Sequence, residues 1–465
     1  MNETIAAIST PFGEGAIAVL RLSGPRAVEI SGVVFRGKRP VAELAPRTQH
    51  LGAVQDGERK LDDVLLTVFR APHSYTGEDV IEIACHGGVL VTRRILEVLL
   101  HHGARSAEPG EFTQRAYLNH KMDLTQAEAV MDLISAQTDL AMRAATEQLE
   151  GRLGERIRAL RETLIELLAH IEAYIDFPDE DIDPATGAAL LAKLDAAEFE
   201  IDELLATTKR GKVLREGART VIYGAPNVGK SSLLNLLLGQ ERAIVSARPG
   251  TTRDVIEETI DLGGIPIRLI DTAGVRESDD EIEQEGMKRT WQQVDRADLI
   301  LHVVDATQAR PNEETWNAAG FFLGREYERG RAVLVLNKCD LGEHRSWTQD
   351  RLSPDFSPIN SGAIRMSCLQ GEGIEALTEK IARRVMGTTI THRDWSLAIN
   401  ARHADCLWRA RGFAEAARGA LTDGLSPEFV AEELRGALDA VGEVVGKADS
   451  EEILGKIFST FCIGK

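Results

Sequence analysis

GAPNVGKS, residues 224–231, follows the pattern GxxxxGK[ST] of a phosphate-binding loop. A short apolar run, 221–223, precedes it, and a helix-like run, 232–238, follows it. A strand, a glycine-rich loop and a helix N-terminus together present backbone N–H groups and the positive end of the helix dipole to an anion. The stretch predicts a nucleotide phosphate site, with Lys230 on the β- and γ-phosphates and Ser231 on Mg2+; an ordinary strand-to-helix turn is the alternative.

Two motifs downstream are typical of a nucleotide-dependent switch. Residues 250–254 read GTTRD, in which a threonine can close on Mg2+ when a γ-phosphate is present. An apolar strand at 266–270 then ends in DTAG, residues 271–274. This spacing predicts that Asp271 holds the Mg2+ shell and that Gly274 offers its N–H to the γ-phosphate.

Two further motifs select the base. Residues 337–340 read NKCD, and the Asp340 carboxylate can accept hydrogen bonds from guanine N1–H and the 2-amino group. Adenine presents an acceptor at N1 and lacks the 2-amino group, so the same site rejects it. Residues 365–368 read RMSC and end a last predicted strand whose loop can touch the base. Five motifs in this order predict a GTP site.

Composition limits the class of protein. The chain has 465 residues, which suggests about three domains, with 43% hydrophobic and 27% charged residues. Its net charge of −19 argues against a surface coated with basic, nucleic-acid-binding groups. Five scattered cysteines without a CxxC pair suit reduced cytosolic thiols. No charged-then-apolar leader and no apolar run of about 18 residues is present, so we expect a cytoplasmic protein that neither enters nor crosses a membrane.

The first 119 residues predict an α+β domain. Strands are expected at 5–8, 16–22, 64–69 and 80–84, and a helix at 89–100 that stops near Gly103.

Helical periodicity dominates on both sides of the GTP segment. Apolar residues recur at helical spacing between 124 and 134 and between 153 and 175, and a further run spans 190–214. The last segment places Ile453, Leu454, Ile457, Phe458 and Phe461 on one face, with Asp449 or Ser450 as N-cap. We interpret both flanks as one bundle with the α/β module inserted into it; two separate bundles are the alternative.

The predicted fold is therefore multidomain: an N-terminal α+β domain and a central α-helical bundle interrupted by an inserted α/β P-loop GTPase domain. The expected boundaries are 1–119 for the N-terminal domain, 120–216 and 387–465 for the two parts of the helical domain, and 217–386 for the GTPase domain.

Hydrolysis needs a group that orients the attacking water. Many small GTPases carry glutamine directly after the DTAG-type motif, but this chain has Val275 there. Glu283 and Glu285 lie slightly further on, although a solvated surface role suits either carboxylate. Arg253 and Arg276 are candidate charge stabilisers, and an ordinary structural role is the alternative for each.

The whole chain resembles the MnmE (TrmE) family of tRNA-modification GTPases. The resemblance depends on GAPNVGKSSLLN, PGTTRD, DTAGVRE and NKCD, and on three stretches that ordinary G domains lack. Those stretches are SYTGEDVIEIACHGG, PGEFTQRAYLNHKMDLTQAEAV and the final FCIGK.

The resemblance implies a set of nucleotide and metal ligands. K+ would be held by Asn227, Ser246, Arg248 and Thr251, and would supply positive charge in place of an arginine finger, while Glu283 would orient the water. Mg2+ would be held by Ser231 and Thr252. Catalysis would involve Glu283, Asn227 and Lys230. The GTP contacts implied are Asn227, Val228, Gly229, Lys230, Ser231, Ser232, Ser246, Ala247, Arg248, Pro249, Gly250, Thr251, Thr252, Asp271, Thr272, Ala273, Gly274, Asn337, Lys338, Asp340, Ser367 and Cys368. Pro249 stands where the family often has alanine, and it keeps the carbonyl an ion needs.

The resemblance also implies a folate site and partners. The N-terminal domain would form a homodimer and bind a tetrahydrofolate derivative, 5-formyl- or 5,10-methylene-tetrahydrofolate, through residues matching Arg21, Glu82, Lys121 and Lys465. Cys462 is a possible functional thiol near that site, or a small apolar group at a helix end. His86 is expected to serve as a core or turn histidine.

The function implied is a K+-dependent GTPase that works with a flavin-dependent partner, MnmG. The pair would add a carboxymethylaminomethyl or aminomethyl group to C5 of the wobble uridine of certain tRNAs. GTP hydrolysis would drive pairing of G domains and a conformational change. The FAD belongs to the partner, because no GxGxxG fingerprint is present here. A ribosome-assembly or signalling GTPase that acts by binding alone is the alternative.

Overall fold

The structure, a computed structural model, describes residues 3–176, 187–240, 257–270, 291–310, 323–347, 362–386, 398–446 and 451–464. The chain divides into two compact units. Unit 1 comprises Met1–Met131, Leu149–Ala197 and Arg409–Lys465, and unit 2 comprises Asp132–Gln148 and Glu198–Trp408. Among the helices in these described ranges, none is both long enough and apolar enough to span a bilayer.

Unit 1 contains a seven-stranded sheet. Its strands are β1 (Ile5–Ile8), β2 (Ile17–Ser23), β3 (Phe35–Gly37), β4 (Gln49–Asp56), β5 (Arg59–Phe69), β6 (Val80–His86) and β7 (Arg105–Ser106). They are ordered β3-β4-β5-β6-β2-β1-β7. All neighbours are antiparallel except β1 and β7, which run parallel. The strands predicted within this region are confirmed, and β5 begins five residues before its predicted start.

One face of this sheet is covered and the other is more open. In β2 the side chains of Ala18, Leu20 and Leu22 are buried, while Ile17 and Arg21 point to the opposite face, as the two-residue period of a strand requires. Helices α1 (Ala27–Val34) and α2 (Val89–His101) pack against the covered face. The open face therefore presents alternate residues of β2, β5 and β6.

The remaining helices include those predicted from periodicity at 124–134, 153–175 and 190–214. They are α3 (Glu111–Leu118), α4 (Leu124–Ser135), α5 (Asp139–Leu149), α6 (Arg152–Asp176), α7 (Gly187–Leu205), α8 (Thr208–Glu216), α9 (Lys230–Gln240), α10 (Gly324–Glu328), α11 (Ile374–Met386), α12 (Ala401–Thr422), α13 (Pro427–Val444) and α14 (Glu451–Phe458). The predicted helical run 190–214 is divided in the structure between α7 and α8.

Two threonines explain this break. The Thr207 hydroxyl donates to the Leu204 carbonyl at 2.7 Å, and the Thr208 hydroxyl donates to the Leu205 carbonyl at 2.6 Å. Such bonds give the backbone an alternative to the helical ladder, and β-branched residues weaken a helix further. The predicted helical run is confirmed, but the apolar period does not reveal this division, because it continues through a site where local polar groups end the helix.

Unit 1 joins chain segments from both sides of the P-loop region. Helix α6, before it, packs along α13, after it. The Arg435 guanidinium donates to the Glu172 carboxylate at 2.6 Å across 263 residues of sequence. The predicted insertion of one module into another is thereby confirmed, and the alternative of two separate bundles is wrong.

The last helix packs on α4. Leu454, Phe458 and Phe461 form a cluster with Leu124 and Ala127. Phe461 lies three residues beyond the end of α14 and is still buried, so the predicted apolar face extends past the helix itself. The predicted N-cap residues, Asp449 and Ser450, lie outside the described ranges.

Unit 2 contains a six-stranded sheet. Its strands are β8 (Ala218–Tyr223), β9 (Glu257–Leu262), β10 (Ile265–Ile270), β11 (Leu299–Asp305), β12 (Ala332–Asn337) and β13 (Ile364–Arg365), in the order β13-β12-β11-β8-β10-β9. Only the hairpin of β9 and β10 is antiparallel. Strands β11 and β12 are almost continuously buried, as parallel strands covered on both faces must be.

The strand order creates a crevice beside β8. This strand pairs with β11 on one side and with β10 on the other. The chain after β8 continues to the β9–β10 side of the sheet, and the chain after β10 crosses to β11 on the other side, so the strand order reverses at β8. Ligands of open α/β sheets bind at such a point. The loop after β8 is the predicted phosphate-binding loop.

Candidate functional site

The P-loop, residues 224–229, lies between β8 and α9. Gly224, Asn227 and Gly229 all have positive φ angles, of 152°, 62° and 103°. A Cβ on Gly224 would approach the Val303 carbonyl oxygen to 2.2 Å, so the close packing against β11 requires glycine. The loop ends at the N-terminus of an 11-residue helix, which gives it the backbone geometry of an anion site.

Lys230 and two serines stand at the start of α9. The Lys230 ammonium donates to the Gly224 and Ala225 carbonyls at 2.9 and 2.8 Å, so it lies over the loop. Burial lowers the pKa of Lys230. Ser231 and Ser232 are exposed, and an accessible hydroxyl at the second position of this helix suits a ligand of Mg2+.

Asn337, the first residue of NKCD, is a bridge between loops. Its amide nitrogen donates to the Val228 carbonyl at 2.9 Å, and its amide oxygen accepts from the Cys368 backbone N–H at 3.0 Å. The side chain is buried. It therefore fastens the base-recognition strand to the P-loop on one side and to the RMSC loop on the other.

Lys338 makes a second link to the P-loop. Its ammonium donates to the Asn227 carbonyl at 2.9 Å and to the Asp305 carboxylate at 2.6 Å. Asp305 was not among the predicted site residues. The available signal was its place, since it ends the buried strand β11 at the same sheet edge as the P-loop.

Asp340 and the RMSC loop complete the base side. Asp340 is half-buried in a short turn of 3-10 helix, Cys339–Leu341. Burial, followed by the nearby Asp340 carboxylate, raises the pKa of the Cys368 thiol to about 11. Ser367 is buried and its hydroxyl accepts from the Gln370 N–H at 3.2 Å. The structure thus brings the two base motifs together.

The open sheet face of unit 1 carries the predicted folate pair. Arg21 and Glu82 are directly opposite each other on β2 and β6. The Arg21 guanidinium donates to one Glu82 oxygen at 3.0 and 2.8 Å, and it lies over the rings of Tyr75 and Phe112 at 5.4 and 5.7 Å. A carboxylate and a guanidinium held beside aromatic rings can recognise a flat, polar heterocycle.

The other predicted folate residues are partly described. Lys121 is exposed and donates to the Pro72 carbonyl at 3.0 Å. Cys462 is exposed, and its carbonyl accepts from the Gly110 N–H at 3.4 Å. Gly464 packs so closely on the end of β1 that a Cβ there would lie 2.5 Å from the Ile8 carbonyl oxygen. The segment after α14 therefore docks on the sheet that carries Arg21.

Several predicted residues lie outside the described ranges. They are Ser246, Ala247, Arg248, Pro249, Gly250, Thr251, Thr252, Arg253, Asp271, Thr272, Ala273, Gly274, Arg276, Glu283, Glu285 and Lys465.

The N-terminal motifs also build a buried ionic network that the sequence did not reveal. Arg115 donates to Glu111 at 2.8 Å and to Glu78 at 3.1 Å, and the side chain of Arg115 is 3% exposed. Arg105 donates to the same Glu111 carboxylate at 2.6 Å. Ser23 donates to Glu78 at 2.7 Å. Residues of SYTGED and PGEFTQRA thus stabilise the domain.

His86 does not lie in the core, which was one of the two roles expected for it; it is the last residue of β6. Its ring is exposed, and its Nδ1 shares a hydrogen bond of 2.7 Å with the Asp62 carboxylate. The same carboxylate accepts from the His86 backbone N–H at 2.8 Å. A histidine at the end of β6 is thus held by a carboxylate from β5 instead of being packed in the core.

Comparisons with known proteins cover almost the whole chain. Residues 4–121 match the family described as "GTP-binding protein TrmE N-terminus", and residues 124–462 match "MnmE helical domain". The tRNA modification GTPase MnmE of Akkermansia muciniphila is 50% identical and aligns with 100% of this chain and 99% of that protein. The MnmE proteins of Natranaerobius thermophilus and Aquifex aeolicus are each 44% identical, with full coverage of both chains. The resemblance predicted from the motifs is confirmed: the chain belongs to the MnmE family of tRNA modification GTPases.

Proposed function

We propose that this chain is a K+-dependent GTPase which, with a flavin-dependent partner of the MnmG type, modifies the wobble uridine of certain tRNAs. The product would carry a carboxymethylaminomethyl or aminomethyl group at C5, and a tetrahydrofolate derivative would donate the carbon. The observation that carries the nucleotide part is the fastening of NKCD to the P-loop through Asn337–Val228 and Lys338–Asn227. The relatives' names favour this role over a ribosome-assembly or signalling GTPase.

In this proposal each motif has a separate task. The P-loop N–H groups and Lys230 bind the β- and γ-phosphates, and Ser231 with Thr252 holds Mg2+. Asp340 selects guanine, and Asp271 to Gly274 respond to the γ-phosphate. Glu283 orients the attacking water. The remaining proposed GTP contacts are those implied by the resemblance, from Ser246 to Thr251 and at Thr272, Ala273, Ser367 and Cys368.

K+ would add positive charge where the transferring phosphate becomes more negative. Asn227 fits this role in its described geometry: it is exposed on the P-loop, and an amide oxygen is a suitable ligand for a hard cation. Ser246, Arg248 and Thr251 would supply the other ligands. The test compares GTP hydrolysis in K+ and Na+ at equal ionic strength. We expect stimulation by K+ alone and loss of this difference in Asn227→Ala; equal rates in both salts for the wild type refute the proposal.

The folate part depends on the Arg21–Glu82 pair. We propose that Glu82 accepts hydrogen bonds from the amino-pyrimidinone edge of the pterin and that Arg21, Lys121 and Lys465 bind its acidic portion. Titration with 5-formyl-tetrahydrofolate tests this. Glu82→Gln is expected to weaken binding at least tenfold, since a charge-assisted bond is lost. Glu29→Gln changes an exposed carboxylate paired with Arg26 in the same domain and should bind as the wild type does. Equal affinity in the wild type and Glu82→Gln would remove the proposed contact.

The open sheet face supports homodimerisation through the N-terminal domain. Leu51 and Ile17 on this face are 71% and 68% exposed, and Leu65 lies opposite Leu51. Large exposed apolar side chains that share one face of a sheet are typical of association surfaces. Leu51→Glu should shift the sedimentation of the protein from dimer to monomer. A dimer of unchanged stability in this variant places the interface elsewhere.

The tRNA role is tested in cells. We propose a cytoplasmic protein that acts on tRNA in a complex with its FAD-containing partner, with domain boundaries at 1–119, 120–216, 217–386 and 387–465. Mass spectrometry of wobble uridines should show loss of the C5 modification on gene deletion and recovery with the wild-type gene. Unchanged modified nucleosides in the deletion strain would exclude this role.

A further inference from the structure

Lys338 lies between two partners from different parts of unit 2. One is the Asn227 carbonyl of the P-loop, at 2.9 Å, and the other is the Asp305 carboxylate, at 2.6 Å. The Asp305 side chain is 8% exposed and the Lys338 side chain is 32% exposed, so this ion pair is partly shielded from solvent. A charge-assisted hydrogen bond in such surroundings is stronger than an exposed ion pair.

The Asp305 oxygen that does not contact Lys338 is also hydrogen-bonded. It accepts from the Thr307 backbone N–H at 3.0 Å and from the Thr307 hydroxyl at 2.7 Å. Burial alone would raise the pKa of the Asp305 carboxyl, but the hydrogen bonds from Lys338 and Thr307 outweigh it and keep the pKa below its ordinary value. The carboxylate is therefore a fixed anion whose two oxygens have different partners.

Lys338 needs such support because its backbone is unusual. Its φ angle is 66°, in the left-handed region that costs free energy for a residue with a Cβ. Asn227, on the other side of the link, has a φ of 62°. Two strained residues from two motifs are thus joined by one ammonium group, and Asp305 is the charge that holds that group in place.

We propose that Asp305 is a positioning residue for nucleotide binding. By fixing Lys338, it keeps the guanine-recognition loop and the P-loop at one spacing, and it sets the position of Asn227. The effect on nucleotide affinity follows from these contacts directly. The further effect on K+ rests on the proposed function of Asn227 as a K+ ligand.

Asp305→Asn is an informative test because the surrounding hydrogen-bond donors determine the orientation of the new amide group. The Thr307 N–H and hydroxyl both donate, so they select the amide oxygen, and the amide NH2 then faces the Lys338 ammonium. A repulsive contact replaces an ion pair. We expect the Kd for GDP with a fluorescent ribose label to rise about tenfold, as for loss of a bond to a charged group. The K+ concentration for half-maximal stimulation of GTP hydrolysis should rise as well.

Asp298→Asn is the matched control. Asp298 directly precedes β11, at the opposite end of the strand from Asp305, and accepts from the Arg219 N–H at 3.0 Å. Asp298→Asn makes the same chemical change beside the other end of this strand, away from the P-loop, and the GDP affinity of this variant should stay within about twofold of wild type. Thermal unfolding without nucleotide should give similar midpoints for the two variants.

A double-mutant cycle separates positioning from general damage. Lys338→Met removes the group through which Asp305 acts, so adding Asp305→Asn to it should change the GDP affinity little. Should the unfolding midpoint of Asp305→Asn fall well below that of Asp298→Asn, Thr307→Val provides a milder probe, with an expected loss of about threefold in affinity.

Two results would overturn the inference: unchanged GDP affinity in both Asp305→Asn and Thr307→Val, or an equal loss from Asp305→Asn with and without Lys338. Failure of K+ to stimulate the wild type would instead refute the proposed role of K+. Whether or not K+ stimulates hydrolysis, the double-mutant cycle measured by GDP affinity decides the role of Asp305.

Discussion

The Asn337 amide nitrogen donates a 2.9 Å hydrogen bond to the Val228 carbonyl of the P-loop. The next residue, Gly229, has a φ of 103°, and a Cβ there would lie 2.1 Å from that nitrogen. Gly229→Ala should break the bond and strain the loop, weakening GDP binding by more than about tenfold. Gly239→Ala, in α9 with open space around the added methyl, is the control. Fluorescent GDP titration checks both, and equal affinity in the two variants would contradict the prediction.

The buried ionic network of Arg115, Glu111 and Glu78 within the N-terminal domain should contribute strongly to the stability of that domain. Arg115→Met leaves the Glu111 and Glu78 carboxylates without their buried guanidinium, and we expect a loss of about 3 kcal/mol in the free energy of unfolding. Arg93→Met removes an exposed arginine that pairs with Glu97 and should change stability by less than about 0.5 kcal/mol. Urea unfolding of both variants measures the difference. Similar losses would show that burial of the network matters little.

His302 predicts an acid-sensitive core in unit 2. It is fully buried, its Nδ1 shares a 2.8 Å hydrogen bond with the Tyr327 hydroxyl, and burial lowers its pKa to about 4 from 6.5. The unfolded chain takes up a proton on this ring first as the pH falls, so stability declines between those two values. The decline between pH 7 and 5 is expected to be about 2 kcal/mol.

His302→Asn provides the comparison, because its amide can replace Nδ1 and does not titrate. Its stability should be lower at pH 7 but should fall less steeply towards pH 5, as measured by calorimetric unfolding. An identical slope in both proteins would assign the acid sensitivity to other groups.

The docked segment after α14 gives a prediction for the folate site. Gly464 has a φ of 96° and no room for a Cβ beside Ile8, so Gly464→Ala should displace this segment from the sheet edge. We expect weaker binding of 5-formyl-tetrahydrofolate and unchanged GDP affinity. Gly455→Ala, inside α14 with no atom near the added methyl, should leave both unchanged. Full folate affinity in Gly464→Ala would show that the docking does not serve the site.

The sequence predicted what is local or periodic. The P-loop, the strand before it, strands β10 and β12 and the order of the motifs follow from short patterns, because glycine at 224 and 229 and the apolar runs that end at each motif leave few alternatives. Helix α6 likewise followed from apolar spacing, and its place in one unit with helices from beyond the GTPase segment followed from the insertion argument.

What depends on distant partners could not be predicted. The pairing of Asp305 with Lys338 joins residues 33 apart. The place of Asp305 at the end of an apolar strand is visible in the sequence, but the sequence does not show which cation this carboxylate meets. The burial of Arg115 among Glu111 and Glu78 depends on loops that meet only in the folded domain. The end of α7 was missed because two threonine hydroxyls decide it, and their effect does not change the apolar period.

The packing of α6 along α13 has a consequence for biosynthesis. The Glu172–Arg435 ion pair joins the two helices, and these two residues are 263 positions apart in the sequence because the inserted module lies between them. A ribosome releases α6 long before α13 exists, and translation proceeds at about 5–20 residues per second. For many seconds the nascent chain therefore carries α6 with an apolar face, from Leu153 to Ile171, that lacks its partner helix. Chaperone binding to newly made chains should therefore concentrate on α6 and end when α13 emerges.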